Sequence, residues 1–460
     1  MASPAIVSDR KAIYSDSKYV ESFAFDVATY AGQYVGMTKI LRLKYIASTF
    51  LHLRNEAMTI LIKEVSAGLN AELYAEICEL AKAYDMPNAI IYDEEWVRKV
   101  SQEKRRRIEI ASTELSQAKS SSNKEAIRRG YMEMGNLHME HYDMLEAIKA
   151  FQHARDYAGK AEHHIETSFK VAACYMNLGN HRQAANAITS IADNAESPLA
   201  KAQAKALQGL CWMLDGSYIY AAHAFLELDG SILRNQFNHV LATKDIALYG
   251  SLCALATLDP PKIKQSVLDS KDFKHSLEQI PYARTFVQNF CTSEFGACLQ
   301  LLRRKSNEMT VDMHLQLHMQ PLLDRISSRA LVQYCRPYLS LDLVRMSHSL
   351  DMDVENLQKE LTGLIEKDLL PFRIDSARLQ LHRKVQNERD AAIEKIVALS
   401  AMHATSIRQG ILRLSLLQHH FGVNSNPTSS TPLDAKESEQ MDHAGIMQME
   451  AEDDVDAEGD

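Results

Sequence analysis

The amino-acid sequence predicts a mainly α-helical protein: a solenoid of tetratricopeptide-like helical repeats, then a winged-helix subdomain, then a C-terminal amphipathic helix. Three observations predict this fold class. The 460 residues include only 17 glycines and 11 prolines, so few residues break helices. A pattern of small and large apolar residues recurs in the middle of the chain. Near residue 370 the helical spacing changes to the alternation of a short hairpin.

The repeat has a period of 37 residues and occurs in the segments "EAIKAFQHA", "QAANAITSI" and "YAAHAFLEL". Each copy contains an alanine, a large apolar residue four positions later, and a methionine eight positions earlier. The three alanines are Ala147, Ala184 and Ala221, the large residues are Phe151, Ile188 and Phe225, and the methionines are Met139, Met176 and Met213. The small alanine lets two helices approach closely, and the large residue packs against the neighbouring pair of helices. The period therefore predicts stacked helical hairpins.

A winged helix is predicted from about residue 326 to residue 385. A first helix over Ile326–Arg336 ends before Pro337, Ser340 can cap a second, and Asp353 can cap a third. The segment Leu370–Leu381 then alternates between apolar and polar residues around a polar turn. Three helices followed by such a hairpin are typical of this fold.

Composition divides the chain into five segments. They are a flexible leader (1–22), an N-terminal helical-repeat domain (23–231), a second domain that ends in the winged helix (232–385), a terminal helix (386–421) and a disordered acidic tail (422–460). The terminal helix carries a stripe of apolar residues that predicts packing in a bundle with partner helices. The stripe consists of Ile393, Ile396, Leu399, Ile407, Ile411 and Leu414.

The charge is concentrated in the tail. Eleven acidic residues and one lysine follow residue 432, so this segment has a net charge of −10. The net charge of the whole chain is −9, so the residues before the segment are nearly neutral. Seven cysteines are scattered without a CxxC pair, which indicates a reducing compartment. The N-terminal residues have no signal-peptide pattern, and the longest mostly apolar run, Ile246–Leu258, is too short to span a bilayer.

Known catalytic motifs are absent: the sequence contains no phosphate-binding loop, no GxSxG and no HExxH. His314 and His318 are four residues apart on an expected helix, but neither an acidic base nor a third metal ligand accompanies them. We therefore interpret them as packing or surface histidines and expect neither a cofactor nor enzymatic activity. An unrecognised hydrolase is the least favoured of three hypotheses.

Binding of DNA by the winged helix is disfavoured by charge. Residues 327–385 contain nine basic and eight acidic residues, and the third helix, Asp353–Lys367, has a net charge of −2. A helix that enters the major groove must offset phosphate charge. The sequence therefore favours a protein-docking winged helix over a nucleic-acid-binding one.

Helical repeats that lead directly into a winged helix resemble the PCI module of the proteasome lid, the COP9 signalosome and a translation-initiation complex. The segment "RALVQYCRPYLSLDLVRMSHSLDMDVENLQKELTGLIEKDLLPFRID" looks like the end of that module. The segment "YAGQYVGMTKILRLKYIASTFLHLRNEAM", Tyr30–Met58, is similar to the opening of the subunit-one family of the signalosome, although Lys44 and Tyr45 depart from the family pattern. The related proteasome-lid subunit is the alternative; it lacks a good counterpart to the Tyr30–Ala47 motif.

The resemblance implies that the chain is a non-catalytic scaffold subunit of the signalosome, the complex that deneddylates cullins in cullin-RING ubiquitin ligases. It also implies that the protein is located in the cytoplasm and the nucleus. Residues 232–385 would be the PCI domain. Partner subunits would dock on the hairpin, with Phe372, Arg373 and Asp375 as interface residues, and on the terminal helix through its apolar stripe. The N-terminal repeats could contact cullin-RING ligases.

Overall fold

The computed structural model describes residues 25–84, 92–192, 197–228, 232, 237–384 and 388–419. The predicted leader (1–22) and acidic tail (422–460) lie outside these residues. The described residues up to Lys384 form one compact unit, and those after it belong to a second unit. No helix among the described residues has the length and apolar character needed to cross a membrane.

The first unit is built almost entirely from helices. Those that precede the second domain are α1 (Val27–Ala31), α2 (Met37–Thr49), α3 (Arg54–Ala67), α4 (Ala71–Ala83), α5 (Glu94–Ser120), α6 (Lys124–Glu140), α7 (Met144–Asp156), α8 (Ala161–Asn177), α9 (His181–Ala192), α10 (Pro198–Leu214) and α11 (Tyr218–Leu226). Those that follow are α12 (Thr243–Thr257), α13 (Pro260–Ile263) with a π-helical turn (Lys264–Leu268), α14 (Lys271–Glu278), α15 (Pro281–Cys291), α16 (Phe295–Met309) and α17 (Gln316–Cys335).

The 37-residue period corresponds to three helical hairpins, formed by α6 and α7, α8 and α9, and α10 and α11. The three predicted alanines and the three large residues that follow them are fully buried. Small residues recur with the same period on the first helix of each hairpin, at Gly135, Ala172 and Gly209, and the rings of Phe151 and Phe225 pack directly on Gly135 and Gly209. A Cβ atom at Gly135 would lie 2.5 Å from the Phe151 ring, so this close approach requires glycine.

The winged helix contains one strand that the sequence did not reveal. It consists of β1 (Ser340–Asp342), α18 (Leu343–Leu350), α19 (Val354–Glu366), β2 (Phe372–Asp375) and β3 (Gln380–Arg383). The predicted cap at Ser340 was wrong, because Ser340 begins β1 and the side chain of Asp342 caps α18 through the amide of Val344. Asp353 does occupy the N-cap position of α19, without a side-chain capping bond.

The described residues of the first unit form three hydrophobic cores. The largest is continuous from Ala172 in the second hairpin to Leu381 in β3, so the later repeats and the winged helix share one interior. It therefore crosses the border predicted at residue 231. Helices α1 to α4 form a separate core with Val311, and the first hairpin forms a third core together with Val171 and Cys174 of α8. The winged helix is consequently held rigidly on the end of the solenoid.

The second unit contains the long helix α20 (Glu388–Gln418), close to the predicted terminal helix. The stretch Ile396–Ile407 lacks charged residues altogether, although it lies in a 31-residue helix.

Candidate protein-docking site

The three strands form an antiparallel sheet in the order β1, β3, β2. Phe372 lies opposite Arg383, Arg373 opposite His382, Ile374 opposite Leu381 and Asp375 opposite Gln380. Within the described residues, β2 pairs with β3 on one side and has no strand on the other. The outer edge of β2 is therefore open to another chain.

Hydrogen-bond alternation shows which backbone groups face the open edge. The amide of Lys384 donates to the carbonyl of Pro371 across the β2–β3 pair. In an antiparallel ladder, every second residue of a strand forms its backbone hydrogen bonds with the same neighbouring strand. Pro371 bonds to β3, so the backbone groups of Arg373 and Asp375 also point toward β3. The N–H and C=O of Ile374 consequently face the open edge, where a further strand can bond to them.

The three hairpin residues predicted as an interface have different environments. Phe372 is 3% exposed and belongs to the main core, so its side chain stabilises the winged helix from within. Arg373 is exposed on the outer face of the sheet. Asp375 is half-buried, and its Oδ1 accepts hydrogen bonds from the amides of Ala377 and Arg378, which fixes the turn of the wing. Direct contact with a partner remains a prediction for all three residues.

The predicted stripe on α20 is accessible along its whole length. Ile393, Ile396, Leu399, Ile407, Ile411 and Leu414 are between 49% and 67% exposed. Met402, Leu412 and Leu417 on the same helix are also exposed, so apolar side chains face more than one direction. A helix that is apolar on several sides is typical of the interior of a helical bundle.

A buried polar cluster that the sequence did not predict joins the N-terminal helices to the second domain. Arg42 of α2 is fully buried between Asp245 of α12 and Asp312, at 3.2 Å and 2.9 Å from their carboxylate oxygens. Tyr34 donates a hydrogen bond to Asp245 at 2.7 Å, and Tyr249 donates one to Asp312 at 2.6 Å. These five residues, called here the Arg42 cluster, fix α2 to the helices that carry the winged helix.

The pKa values of the two buried carboxyl groups, Asp245 and Asp312, shift in opposite directions. Burial raises the pKa of Asp245 to about 6, and Arg42 opposes this shift. Burial would also raise the pKa of Asp312, but Arg42, His314 and the hydrogen bond from Tyr249 together lower it. Because two carboxyl groups share one arginine, Asp312 stays ionised and Asp245 is the group that takes up a proton first.

Asp245 is expected to make stability depend on pH. Its folded pKa lies above the ordinary value of 3.8, so the folded state binds a proton that the unfolded state releases. The stabilisation from this proton is complete below pH 3.8 and is lost as pH rises through about 6. We expect the thermal stability of wild type, relative to Asp245→Asn, to fall over this interval and then to level off. An equal difference between wild type and Asp245→Asn at every pH would contradict this assignment.

The two histidines considered as metal ligands have packing roles. His314 lies in the turn before α17, not on the helix, and burial lowers its pKa to about 4. His318 Nδ1 lies 3.0 Å from the hydroxyl of Tyr218 on α11. Among the described residues, no group of three His, Cys, Asp or Glu side chains could hold a metal ion.

Two family models match this chain. The model of the PCI domain matches residues 297–382, which run from α16 to β3. The model of 26S proteasome subunit RPN7 matches residues 93–266, which include the three hairpins.

Two curated relatives match most of the chain, and a third matches about half of it. COP9 signalosome complex subunit 1 of Arabidopsis thaliana is 30% identical over 413 residues, covering 87% of this chain and 91% of the relative. COP9 signalosome complex subunit 1 of Emericella nidulans is 30% identical over 411 residues, covering 86% of this chain and 82% of the relative. The 26S proteasome non-ATPase regulatory subunit 6 homolog of Arabidopsis thaliana is 22% identical over 218 residues, which are 47% of this chain and 53% of the relative.

Helical repeats that end in a winged helix with an open wing strand define a protein of the PCI class, and the family model agrees. Within this class, the similarity to subunit 1 extends over both units of the chain, whereas the similarity to the proteasome subunit covers about half of it. The chain belongs to the COP9 signalosome subunit 1 family.

Proposed function

We propose that this protein is a non-catalytic scaffold subunit of a COP9 signalosome, and that its complex deneddylates cullins in cullin-RING ubiquitin ligases. The observation that carries the proposal is the terminal helix α20, whose apolar side chains are exposed in the isolated chain. Burying them requires other helices, and membership in the subunit 1 family indicates that other signalosome subunits supply them.

The scaffold would hold its partners at two places. The open edge of β2 would bind a strand from the winged helix of another PCI subunit, because a backbone donor and acceptor at Ile374 face that side. Helix α20 would join a bundle of terminal helices. The Arg42 cluster would keep the N-terminal helices at a fixed position relative to the winged helix, since a buried ion pair between distant segments resists displacement.

The N-terminal repeats would face outward and contact cullin-RING ligases, and the complex would act in both cytoplasm and nucleus. The isopeptidase chemistry would belong to another, zinc-bearing subunit. These parts of the proposal derive from the family resemblance.

The test is affinity purification of the full chain from its own cells, with mass spectrometry of the co-purifying proteins. A second chain ends before Asn387 and so lacks α20 and the tail. A third retains α20 and ends after His419, which separates the effect of the helix from that of the tail. We expect the full chain and the third chain to recover a stable set that includes a zinc isopeptidase subunit, and the second to lose most of it.

Other outcomes would overturn the proposal. Recovery of proteasomal ATPases would place the chain in the proteasome lid, the alternative that the match to RPN7 raises. Recovery of nucleic acid, or of the chain alone, would exclude a signalosome scaffold.

A further inference from the structure

Helix α5 carries a cluster of basic side chains on its solvent side. Residues 98–107 include six basic residues and one acidic residue, a net charge of +5. The buried residues of α5 are Val100, Ala111 and Leu115, which mark its inner side. Successive residues of a helix are rotated by about 100°, so the opposite side is the solvent side. Four exposed basic residues lie there and are called here the basic face: Arg98, Lys99, Arg105 and Arg106.

The basic face is not strongly neutralised by its surroundings. Arg105 forms no ion pair with any residue that the structure describes. The other three side chains are 71% to 80% exposed, and each pairs with a glutamate of the same helix. Ion pairs between exposed side chains are weak, so another polyanion can displace these glutamates. The glutamates are Glu94, Glu95 and Glu103.

The predicted acidic tail contains a segment of complementary charge. Residues 450–460, called here the acidic segment, include seven acidic residues and no basic residue. Six of the seven occupy alternate positions: Glu450, Glu452, Asp454, Asp456, Glu458 and Asp460. In an extended chain, side chains at alternate positions point to the same side, about 6.6 Å apart. An extended acidic segment would therefore present one row of carboxylates.

The two sets of charges match in spacing. Arg98 and Arg105 are seven residues apart, so they lie on nearly the same side of α5, about 10.5 Å from each other along its axis. Lys99 and Arg106 form a second such row beside the first. A row of carboxylates laid between these two rows would come within reach of all four long side chains. Arginine can also bind a carboxylate through two parallel N–H groups.

We propose that the acidic segment binds the basic face of α5 in the same chain and excludes other polyanionic ligands from it. The 30 residues between α20 and the segment, 420–449, can span up to about 100 Å, more than twice the roughly 40 Å length of α5. Linkage within one chain raises the effective concentration of the segment to the order of 1 mM, so a weak contact is still occupied. The inference is independent of the proposed function, because both segments belong to this chain.

The first experiment treats the full chain at low salt with a water-soluble carbodiimide. This reagent joins a carboxylate to an amine that touches it as an amide, and the carbodiimide takes up the water. Lys99 supplies the amine on the basic face. We expect mass spectrometry to find Lys99 joined to the acidic segment, with at least tenfold less product in about 0.5 M NaCl, which screens exposed charges. No such product, or a product insensitive to salt, would overturn the inference.

A mixture of isotope-labelled and unlabelled full chains shows whether the contact lies within one chain. We expect the Lys99 product to join segments with the same label. Products that join a labelled segment to an unlabelled one in statistical proportion would place the acidic segment on a second copy and would overturn the inference.

Charge reversal tests whether the basic face itself is recognised. Arg98→Glu, Arg105→Glu and Arg106→Glu together retain Lys99 and should reduce its product at least tenfold. The matched control reverses three exposed lysines of α13 and α14, with the same change in net charge, and should stay within twofold of wild type: Lys262→Glu, Lys271→Glu and Lys274→Glu. All six positions are exposed, so both variants should keep the melting temperature. Equal loss in the two variants would mean that net charge alone governs the contact and would overturn the inference.

A second experiment measures the exclusion of other polyanions. The probe is a fluorescent decaglutamate peptide at low salt, and the chain that ends after His419 retains every described residue. We expect this shorter chain to bind the peptide at least fivefold more tightly than the full chain. Reversal of the basic face in the shorter chain should abolish the gain, whereas the control reversal should retain most of it. Equal binding by the full and shorter chains, or a gain that survives reversal of the basic face, would overturn the inference.

Discussion

Replacing Arg42 by methionine is expected to destabilise the first unit by about 3–5 kcal/mol, the usual effect of removing one partner from a buried ion pair. The change would leave Asp245 and Asp312 buried without their cation, although tyrosine hydroxyls still donate to both. Methionine fills a similar volume, so the loss is mainly electrostatic. Because Arg42 links α2 to α12 and to the segment before α17, we expect α2 to detach before the main core unfolds.

Thermal unfolding combined with amide hydrogen exchange measures this effect. We expect a lower melting temperature and faster exchange in residues 37–49 than in the main core. Arg98→Ala is the matched control, because Arg98 pairs with Glu94 at the surface and both side chains are at least 70% exposed. Surface pairs contribute about 0–1 kcal/mol, so the control should change little. A similar effect of the two substitutions would contradict the proposed role of the cluster.

A compensating variant tests whether charge is the cause. Arg42→Met combined with Asp245→Asn and Asp312→Asn removes all three charges and keeps side-chain oxygens that can accept from Tyr34 and Tyr249. Part of the lost stability should return, since the unpaired carboxylates are gone. If the triple variant were less stable than Arg42→Met alone, packing of the arginine rather than its charge would be responsible.

The repeats were predictable because their cause is local and periodic. Ala147, Ala184 and Ala221 are identical residues at one spacing, and each is fully buried. The partner position at Gly135, Ala172 and Gly209 has the same spacing and could have been found by the same search. The wing hairpin was predictable for a similar reason, since Phe372 and Leu381 alternate with exposed residues and both are buried.

The Arg42 cluster and strand β1 could not be predicted from the sequence, because both form through contacts between segments that are far apart in the chain. Arg42 and Asp245 are separated by 203 residues, and neither position differs locally from a surface charge. One sequence signal did exist: Arg42 lies four residues before the buried Ile46, on the same side of α2. Strand β1 has three residues, and its pairing with β3 depends on contacts that local patterning does not encode.

Three acidic substitutions on α20 are expected to abolish incorporation into the complex while leaving the isolated chain folded. Ile396→Glu, Ile407→Glu and Ile411→Glu replace side chains that are 58% to 63% exposed, so the first unit should keep its melting temperature. In a bundle the same positions would be buried among apolar side chains, and burial of an unpaired carboxylate costs several kcal/mol. Each substitution therefore opposes assembly, and the three together should reduce recovery of partner subunits at least a hundredfold.

The matched control places the same charges at exposed polar positions of the same helix: Ser400→Glu, Thr405→Glu and Gln409→Glu. Net charge and helix length are then equal in the two triple variants, and only the apolar positions differ. Full recovery with the control and loss with the isoleucine variant would assign the contact to the apolar stripe. Equal loss would mean that charge repulsion at α20, not burial of the stripe, governs assembly. Equal recovery would mean that α20 does not hold the partners, and the open edge of β2 would then have to supply the contact.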